Sequence, residues 1–220
     1  SPEGGDDFAT KEMSNAWNMN ATSDLDLYGG LTGAPSITSV TAETMAGDNL
    51  GSTSVLKGTS KNFSGVGDPM VYPLWFDGGR GATYNIDTSK YRILVLKMGL
   101  PGAWDLVGGS VARIYWHVKG EFNGSVEKMN QSADVIVRHK SGNIVLNTII
   151  ADMKKMPLES SPSNTGWNGV VDGFRIDPHE FSNSKSFYIK EVKLAAFERA
   201  DESYTIKWNY TDNISTTSSL

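Results

Sequence analysis

One segment of the sequence carries polar and aromatic side chains at every second position. Within residues 111–119, Arg113, Tyr115 and His117 alternate with apolar side chains. Successive side chains of a β-strand point to opposite faces of a sheet, so these three share the face turned away from the core. Arg175 has the same outward parity in residues 170–177. If the two strands are neighbours, their guanidinium, phenol and imidazole groups could bind sugar hydroxyls or a uronic carboxylate.

Three of the six tryptophans lie in or beside predicted turns. Trp75, Trp104 and Trp167 are each close to glycine, and loops on a rigid scaffold commonly carry binding residues. An aromatic face can stack on the C–H-rich face of a pyranose while nearby polar groups bind its hydroxyls. We therefore include these three tryptophans with the polar residues as candidate ligand-binding residues. The alternative is that each tryptophan simply covers a sheet edge.

Recognisable catalytic motifs are absent. The sequence has no cysteine, which excludes a thiolate nucleophile, a zinc–thiolate site and a disulfide scaffold. It also lacks a Gly-x-Ser-x-Gly elbow and a His-Glu-x-x-His pair. The glycine-rich stretch at residues 78–81 precedes no predicted helix, so we interpret it as a loop rather than a phosphate site.

A pair of carboxylates could hydrolyse a glycoside, and Asp172, Asp177 and Glu180 are close in sequence. Asp172 and Asp177 have opposite strand parity, however, so they share a face only if a β-bulge intervenes. The same acidic groups could instead form ion pairs with Arg113 and Arg175, which would then merely cover the sheet.

The rest of the chain consists of short β-prone segments separated by glycine, aspartate and proline. Residues 91–98 form a nearly continuous apolar run, typical of a central strand. Further strands are predicted at residues 37–41, 53–57, 70–72, 111–119, 134–139, 143–150, 170–176 and 186–196, with a tight hairpin at 141–143. This pattern predicts an all-β, double-sheet β-sandwich of jelly-roll topology.

Two local features complete this prediction. Asp6 or Asp7 is expected to cap a short helical turn at residues 9–13. The apolar side chains of residues 187–194 face the core together only if residues 190–191 form a β-bulge.

Length and charge limit the classes of partner. The 220 residues are enough to bury a substantial core, and the net charge is −5 without any basic cluster. Nucleic acid and anionic membrane surfaces are therefore not expected as partners. No apolar run reaches the length of a membrane span.

Several segments together resemble a known family. They are Asn85-Ile86-Asp87-Thr88-Ser89-Lys90-Tyr91, Gly109 to Trp116, Gly166-Trp167-Asn168-Gly169, Phe174 to Phe181, Phe187 to Leu194, and Asp7-Phe8 with Trp17 at the start of the chain. In pattern and strand order, residues 6–196 are similar to the galactose-binding-like jelly rolls of bacterial extracellular proteins, among them carbohydrate-binding modules attached to glycoside hydrolases.

The resemblance implies a non-catalytic module that binds polysaccharide in a larger secreted or cell-surface bacterial protein, with neighbouring modules in the same chain. It also implies a structural calcium ion where the opening segment meets the last strand, for which Asp7 and Glu191 are the candidate side-chain ligands. In related modules the acidic residue is expected at the position of Lys190. The alternatives are a structural or adhesive module without a glycan ligand and a glycoside-active enzyme.

The chain divides near residue 199 in composition. Residues 1–199 are predicted to form the sandwich, and a charged connector at 198–202 precedes alternating residues 204–208. Residues 200–220 are either an added edge strand or the first strand of an immunoglobulin-like or fibronectin-like module.

Overall fold

The computed structural model describes residues 6–28, 37–45, 53–60, 69–101, 111–123, 126–137, 144–161, 163–180 and 185–197. Its secondary structure consists of helix α1 (Phe8–Met13), 3₁₀ turns at Thr22–Asp24 and Arg80–Ala82, and strands β1 (Leu27–Tyr28), β2 (Ile37–Met45), β3 (Thr53–Ser60), β4 (Val71–Leu74), β5 (Ile86–Asp87), β6 (Tyr91–Gly99), β7 (Val111–Asn123), β8 (Val126–Gln131), β9 (Val135–Ile136), β10 (Asn147–Asp152), β11 (Val170–Asp177) and β12 (Ser186–Ala196). The predictions for Trp104 and for residues 200–220 lie outside the described residues.

The strands form two antiparallel sheets. The first sheet has the order β1-β4-β11-β7-β8, with β5 also paired to β11 and β9 to β7. The second sheet has the order β10-β6-β12-β3-β2. Because the chain passes repeatedly from one sheet to the other, as between β6 and β7 and between β11 and β12, the connectivity is that of a jelly roll. The predicted double-sheet β-sandwich is confirmed.

The core lies between the sheets and follows the alternation of their strands. Residues Ala112, Ile114, Trp116 and Val118 of β7 are all buried, as the sequence pattern predicts. From the second sheet, Leu94, Leu96 and Met98 of β6 join the same apolar cluster. The indole of Trp17 lies parallel to the ring of Phe174 with centroids 6.4 Å apart, so the opening segment contributes to this core.

Asp7 bonds the opening segment, residues 6–26, to the last strand, β12. Its Oδ2 accepts hydrogen bonds from the N–H and hydroxyl of Thr10, which makes Asp7 the N-cap of α1, as predicted. Its Oδ1 accepts the N–H of Leu194 at 3.0 Å. Further along, the N–H of Val192 donates to the carbonyl of Trp17 at 2.9 Å. Asp7 therefore supports both a helix start and a β-strand edge.

The predicted β-bulge in β12 is also present. The register of β12 against β6 shifts between Ile189 and Glu191, which brings Ile189, Val192 and Leu194 onto the core side. Without that extra residue, alternation would turn the later apolar side chains toward solvent.

The predicted hairpin at residues 141–143 lies outside the described residues. The strands on either side of it belong to different sheets, because β9 pairs with β7 in the first sheet and β10 pairs with β6 in the second. Strand β8 was not predicted at all, because Val126–Gln131 is mostly polar and lies at the edge of the first sheet.

His179, which follows β11, is fully buried against the ring of Phe187. Burial lowers the pKa of His179 to about 4, and the positive charge of Lys185 acts in the same direction.

No helix in the described parts of the chain is long and apolar enough to cross a membrane.

We expect Asp7→Ala to lower the free energy of unfolding by about 1–3 kcal/mol, because it removes the cap of α1 and the acceptor of the Leu194 N–H. Asp6→Ala is the matched control, since Asp6 is exposed and forms only a 3.5 Å ion pair with Lys11. Urea denaturation measures both. Equal effects of the two substitutions would contradict the assigned role of Asp7.

Protonation of His179 should make stability depend on pH. Between about pH 6.5 and pH 4 the unfolded chain binds a proton that the folded chain does not, so stability falls as pH falls. From pH 7 to pH 5 the loss attributable to His179 is about 2 kcal/mol. We expect His179→Gln to flatten the pH dependence of the urea midpoint over that interval. An unchanged slope would show that His179 does not contribute.

Candidate functional site

The polar residues predicted for a binding face lie together on the outer face of the first sheet. Strands β7 and β11 are antiparallel neighbours, with Arg175 opposite Tyr115 and Asp177 opposite Arg113. His117 follows Tyr115 by two residues on β7 and therefore shares its face. The structure thus brings Arg113, Tyr115, His117 and Arg175 onto one face. His117 is only 3% exposed beneath Phe76, so the prediction that it contacts a ligand directly is wrong, whereas ligand contacts of Arg113, Tyr115 and Arg175 stay predictions.

Arg175 lies between two aromatic rings. Its guanidinium carbon is 4.1 Å from the ring centroid of Tyr115 and 5.8 Å from that of Tyr72. Its Nε donates to Oδ1 of Asp177 at 2.5 Å, and its Nη2 donates to Oδ2 of the same carboxylate. This combination of stacking and a two-point hydrogen bond holds the guanidinium plane in place, which a lysine could not do.

A row of rings continues from Tyr72. The Tyr72 and Trp75 rings meet edge to face with centroids 4.6 Å apart. Trp75 and Phe76 are 4.2 Å apart, and Phe76 is stacked on His117 at 4.2 Å. We call this group the aromatic platform: the rings of Tyr72, Trp75, Phe76, Tyr115 and His117 together with Arg175.

Three rings of the aromatic platform are accessible. Trp75, Phe76 and Tyr115 are half-buried, whereas Tyr72 and His117 are buried. The accessible rings come from a loop after β4 and from the middle of β7, so the two main-chain segments present one surface. The rings of Trp75 and Phe76 are inclined to each other by 44°, so the surface that they present is stepped rather than flat.

A β-bulge in β11 shapes this surface. The register of β11 against β7 shifts between Val171 and Gly173, which leaves Asp172 as the extra residue. Asp172 Oδ1 lies 2.5 Å from Nδ1 of His117. A Cβ atom on Gly173 would lie only 2.7 Å from the ring of Phe76, so the glycine makes room for the stack of Phe76 on His117.

The bulge also turns to one face two carboxylates, those of Asp172 and Asp177, that strict alternation would place on opposite faces. Asp172 contacts His117, and Asp177 contacts Arg175, both on the side of the aromatic platform. The condition under which the two acids share a face is therefore met. Both are already bonded to a basic side chain, and Glu180 is buried near the end of β11.

The other arginine is paired as well. Arg113 Nε donates to Asp134 Oδ1 at 2.7 Å, and its Nη2 lies 3.6 Å from Glu159. Both arginines therefore form ion pairs, which is the alternative that the sequence allows. Asp177 is among the partners that the sequence suggests, whereas Asp134 and Glu159 are not.

Burial raises the pKa of Tyr115 to about 12, and the charge of Asp177 adds to the increase. The Tyr115 hydroxyl therefore keeps its proton at neutral pH.

The prediction that Trp167 offers a stacking face from a loop is wrong. Its side chain is 4% exposed, and its Nε1 donates to the carbonyl of Tyr91 at 3.0 Å. It packs edge to face against Trp116 and Phe174 in the core. Gly166, with φ of +85°, provides the turn that directs Trp167 inward.

Sequence reasoning identified Trp75 but missed Tyr72 and Phe76. The available signal was their position, because both lie within three residues of Trp75 in a stretch that leads to glycines. The stacking of Phe76 on His117 depends on the absence of a side chain at Gly173, next to the bulge at Asp172, and no pattern in the sequence indicates that bulge.

The carboxylates of the two predicted calcium ligands, Asp7 and Glu191, contact other groups of the protein. Both oxygens of Asp7 accept hydrogen bonds from Thr10 or Leu194. Glu191 forms ion pairs with Lys97 at 3.0 Å and Lys193 at 2.7 Å. Two ammonium groups beside Glu191 oppose binding of a cation there, and among the described residues no group of three or more His, Asp or Glu side chains could hold a metal.

The calcium site of Asp7 and Glu191 stays a prediction that thermal unfolding can test. An ion bound only to the folded state raises the melting temperature by mass action. If such a site exists, we expect excess calcium to raise the melting temperature, a chelator to lower it, and Glu191→Gln to remove the difference. Equal melting temperatures in calcium and in chelator would eliminate the site.

Comparisons with known proteins give a likeness of fold. No family model and no curated protein matches the chain. The CBM22-2 xylan-binding domain of Xyn10C from Paenibacillus barcinonensis is 12% identical, with 83% of this chain and 97% of that chain covered and a TM-score of 0.41. The family 11 carbohydrate-binding module of the cellulosomal cellulase Lic26A-Cel5E of Clostridium thermocellum is 12% identical, with 80% of this chain and 89% of that chain covered and a TM-score of 0.41. A family 30 carbohydrate-binding module is 10% identical, with 84% of this chain and 89% of that chain covered and a TM-score of 0.42.

Proposed function

We propose that the chain is a non-catalytic module that binds polysaccharide on the aromatic platform. The observation that carries this proposal is the group of partly exposed rings formed by Trp75 and Phe76, in the loop after β4, and by Tyr115 on β7. Aromatic faces bind the apolar C–H faces of pyranose rings, and a fixed surface loses little conformational entropy on binding. We further propose that the module belongs to a secreted or cell-surface bacterial protein with neighbouring modules.

Polar groups beside the rings supply hydrogen bonds to hydroxyls. The Tyr115 hydroxyl stays protonated, because its pKa is raised to about 12, and it can donate as well as accept. Arg113 and Arg175 lie on the same face and are held in fixed orientations by Asp134 and Asp177. Their orientation favours directional contacts to a ligand placed on the rings.

The charge of this surface favours an uncharged ligand. Each guanidinium group is already bonded to a carboxylate, and Asp172, Glu159 and Glu180 add further acidic groups nearby. A uronic carboxylate would displace an existing partner and approach several like charges. We therefore propose neutral polysaccharides rather than acidic ones.

A glycoside-active enzyme is the second candidate, because the bulge places Asp172 and Asp177 on the platform side. The contacts of these two acids favour the binding role, because Asp172 is bonded to His117 and Asp177 is bonded to Arg175. Release of reducing sugar from a polysaccharide that the protein retains would establish the enzyme. A structural or adhesive module, the remaining alternative, would retain no polysaccharide.

We expect Trp75→Ala and Tyr115→Ala each to weaken binding about 10- to 30-fold, as truncation of a central aromatic contact does at interfaces. Affinity gel electrophoresis with soluble xylan, hydroxyethyl cellulose and polygalacturonate measures the retention, with the neutral polymers expected to bind. Phe122→Ala is the matched control, because Phe122 is 55% exposed near the far end of β7.

A melting curve accompanies each variant. Retention that survives both Trp75→Ala and Tyr115→Ala, or that falls equally in Phe122→Ala, would exclude the aromatic platform as the binding surface. Preferential retention by polygalacturonate would contradict the proposed neutral ligand while leaving carbohydrate binding intact.

A further inference from the structure

The loop that carries Trp75 and Phe76 is attached to one carboxylate of the opening segment. Oδ2 of Asp26 accepts the backbone N–H of Trp75 at 2.8 Å and that of Arg80 at 2.9 Å. The N–H of Asp26 itself donates to the carbonyl of Tyr72 at 2.8 Å. One residue, 49 positions before Trp75 in the chain, thus bonds to the start and to the end of the loop.

Arg80 closes the loop from its other end. Its Nε donates to Oδ1 of Asp26, and its Nη2 donates to the carbonyls of Asp24 at 2.9 Å and Pro73 at 3.1 Å. When the side-chain amide of Asn15 has its oxygen toward Arg80, that oxygen accepts a hydrogen bond from Nη1 at 2.8 Å. The guanidinium therefore joins the opening segment, the end of β4 and the loop itself.

Glycines let the loop wind closely around this carboxylate. A Cβ atom on Gly79 would lie 2.6 Å from Cβ of Trp75 and 3.0 Å from Oδ2 of Asp26. The N–H of Gly81 donates to the carbonyl of Trp75 at 3.0 Å, and a Cβ atom on Gly81 would overlap the carbonyl oxygen of Asp172. The glycine-rich stretch at residues 78–81 is therefore a tight loop that packs against β11 and the Asp26 carboxylate.

The Asp26–Arg80 pair is shielded from solvent, with side chains 6% and 24% exposed. A carboxylate that accepts two backbone N–H groups and a guanidinium in such a place is held firmly, because these hydrogen bonds are charge-assisted. The hydrogen bond to the backbone of Trp75 fixes the position of its Cα atom. The ring contacts with Tyr72 and Phe76 then fix the orientation of its indole.

We infer that Asp26 and Arg80 are positioning residues of the aromatic platform, which hold Trp75 and Phe76 in the orientation that a ligand meets. The inference rests on the proposed function for its consequence in binding, whereas the ordering of the loop can be measured without any ligand. A disordered loop would have to be ordered on binding, so its loss of preorganisation weakens affinity even though Trp75 is unchanged.

The test compares Asp26→Ala with Asp152→Ala. Asp152 is the matched control, because it forms a similar part-buried ion pair with Arg92 at 2.6 Å, with 4% and 19% of the side chains exposed, and it also accepts a backbone N–H, that of Lys154. It lies in β10 of the second sheet. Arg80→Lys is the milder variant, since it keeps the charge but removes the planar fork.

Three measurements are made on the full chain: the melting temperature, hydrogen exchange of residues 74–81, and retention by soluble xylan and hydroxyethyl cellulose. We expect similar falls in melting temperature for Asp26→Ala and Asp152→Ala. Only Asp26→Ala, and to a lesser degree Arg80→Lys, should speed exchange at Trp75 and Arg80 and weaken retention about tenfold.

The outcomes separate the inference from the proposed function. Unchanged exchange at Trp75 in both Asp26→Ala and Arg80→Lys, or equal loss of retention in Asp152→Ala, would overturn the positioning role. If Asp26→Ala does not fold, Arg80→Lys decides by the same two criteria. If the wild-type chain binds neither polymer, the proposed function loses its support, and the exchange measurement alone decides whether Asp26 orders the loop.

Discussion

The antiparallel pairing of β11 with β7 places Arg175 opposite Tyr115 and inserts one extra residue opposite His117. A slip of one residue in this register would exchange the core and outer faces of β11, removing Phe174 from the core and Arg175 from the surface. The bulge at Asp172 therefore has two effects at once. It keeps the core side chains inward on both sides of the irregularity. It also turns Asp172, which strict alternation would point into the core, toward the imidazole of His117.

Several acidic groups on this surface are buried in contact with basic ones. Such a pair gives little net stability, because the desolvation of both charges offsets their attraction, but removal of one partner leaves a buried charge without compensation. The pairing of Arg175 with Asp177 is thus better understood through geometry than through stability. It fixes a planar cation over Tyr115, and it limits what else can approach that cation, so the same contact orients the surface and selects against acidic ligands.

Features set by local periodicity could be predicted from the sequence, and features set by contacts between distant segments could not. Alternation was enough to place Arg113, Tyr115 and His117 on one face. Neighbouring residues were enough to narrow the helix cap to Asp6 or Asp7 and to predict the bulge in β12. That β9 and β10 join different sheets could not be predicted, because local sequence does not say which sheet a strand joins. Trp167 is wrong for a related reason: a tryptophan in a turn can point inward when a distant carbonyl, here that of Tyr91, accepts its N–H.

The aromatic platform combines segments that are far apart in sequence, since it needs the opening segment at Asp26, the loop after β4, and the strands β7 and β11. None of these segments could hold the rings in place alone. Besides the short 3₁₀ turn at Arg80–Ala82, the backbone of the loop bonds to a distant residue: the N–H groups of Trp75 and Arg80 both donate to Asp26 in the opening segment. That segment is in turn held by Asp7 against β12 in the opposite sheet. The opening segment therefore contacts both sheets: Asp26 bonds to the loop beside the outer face of the first sheet, and Asp7 bonds to β12 of the second.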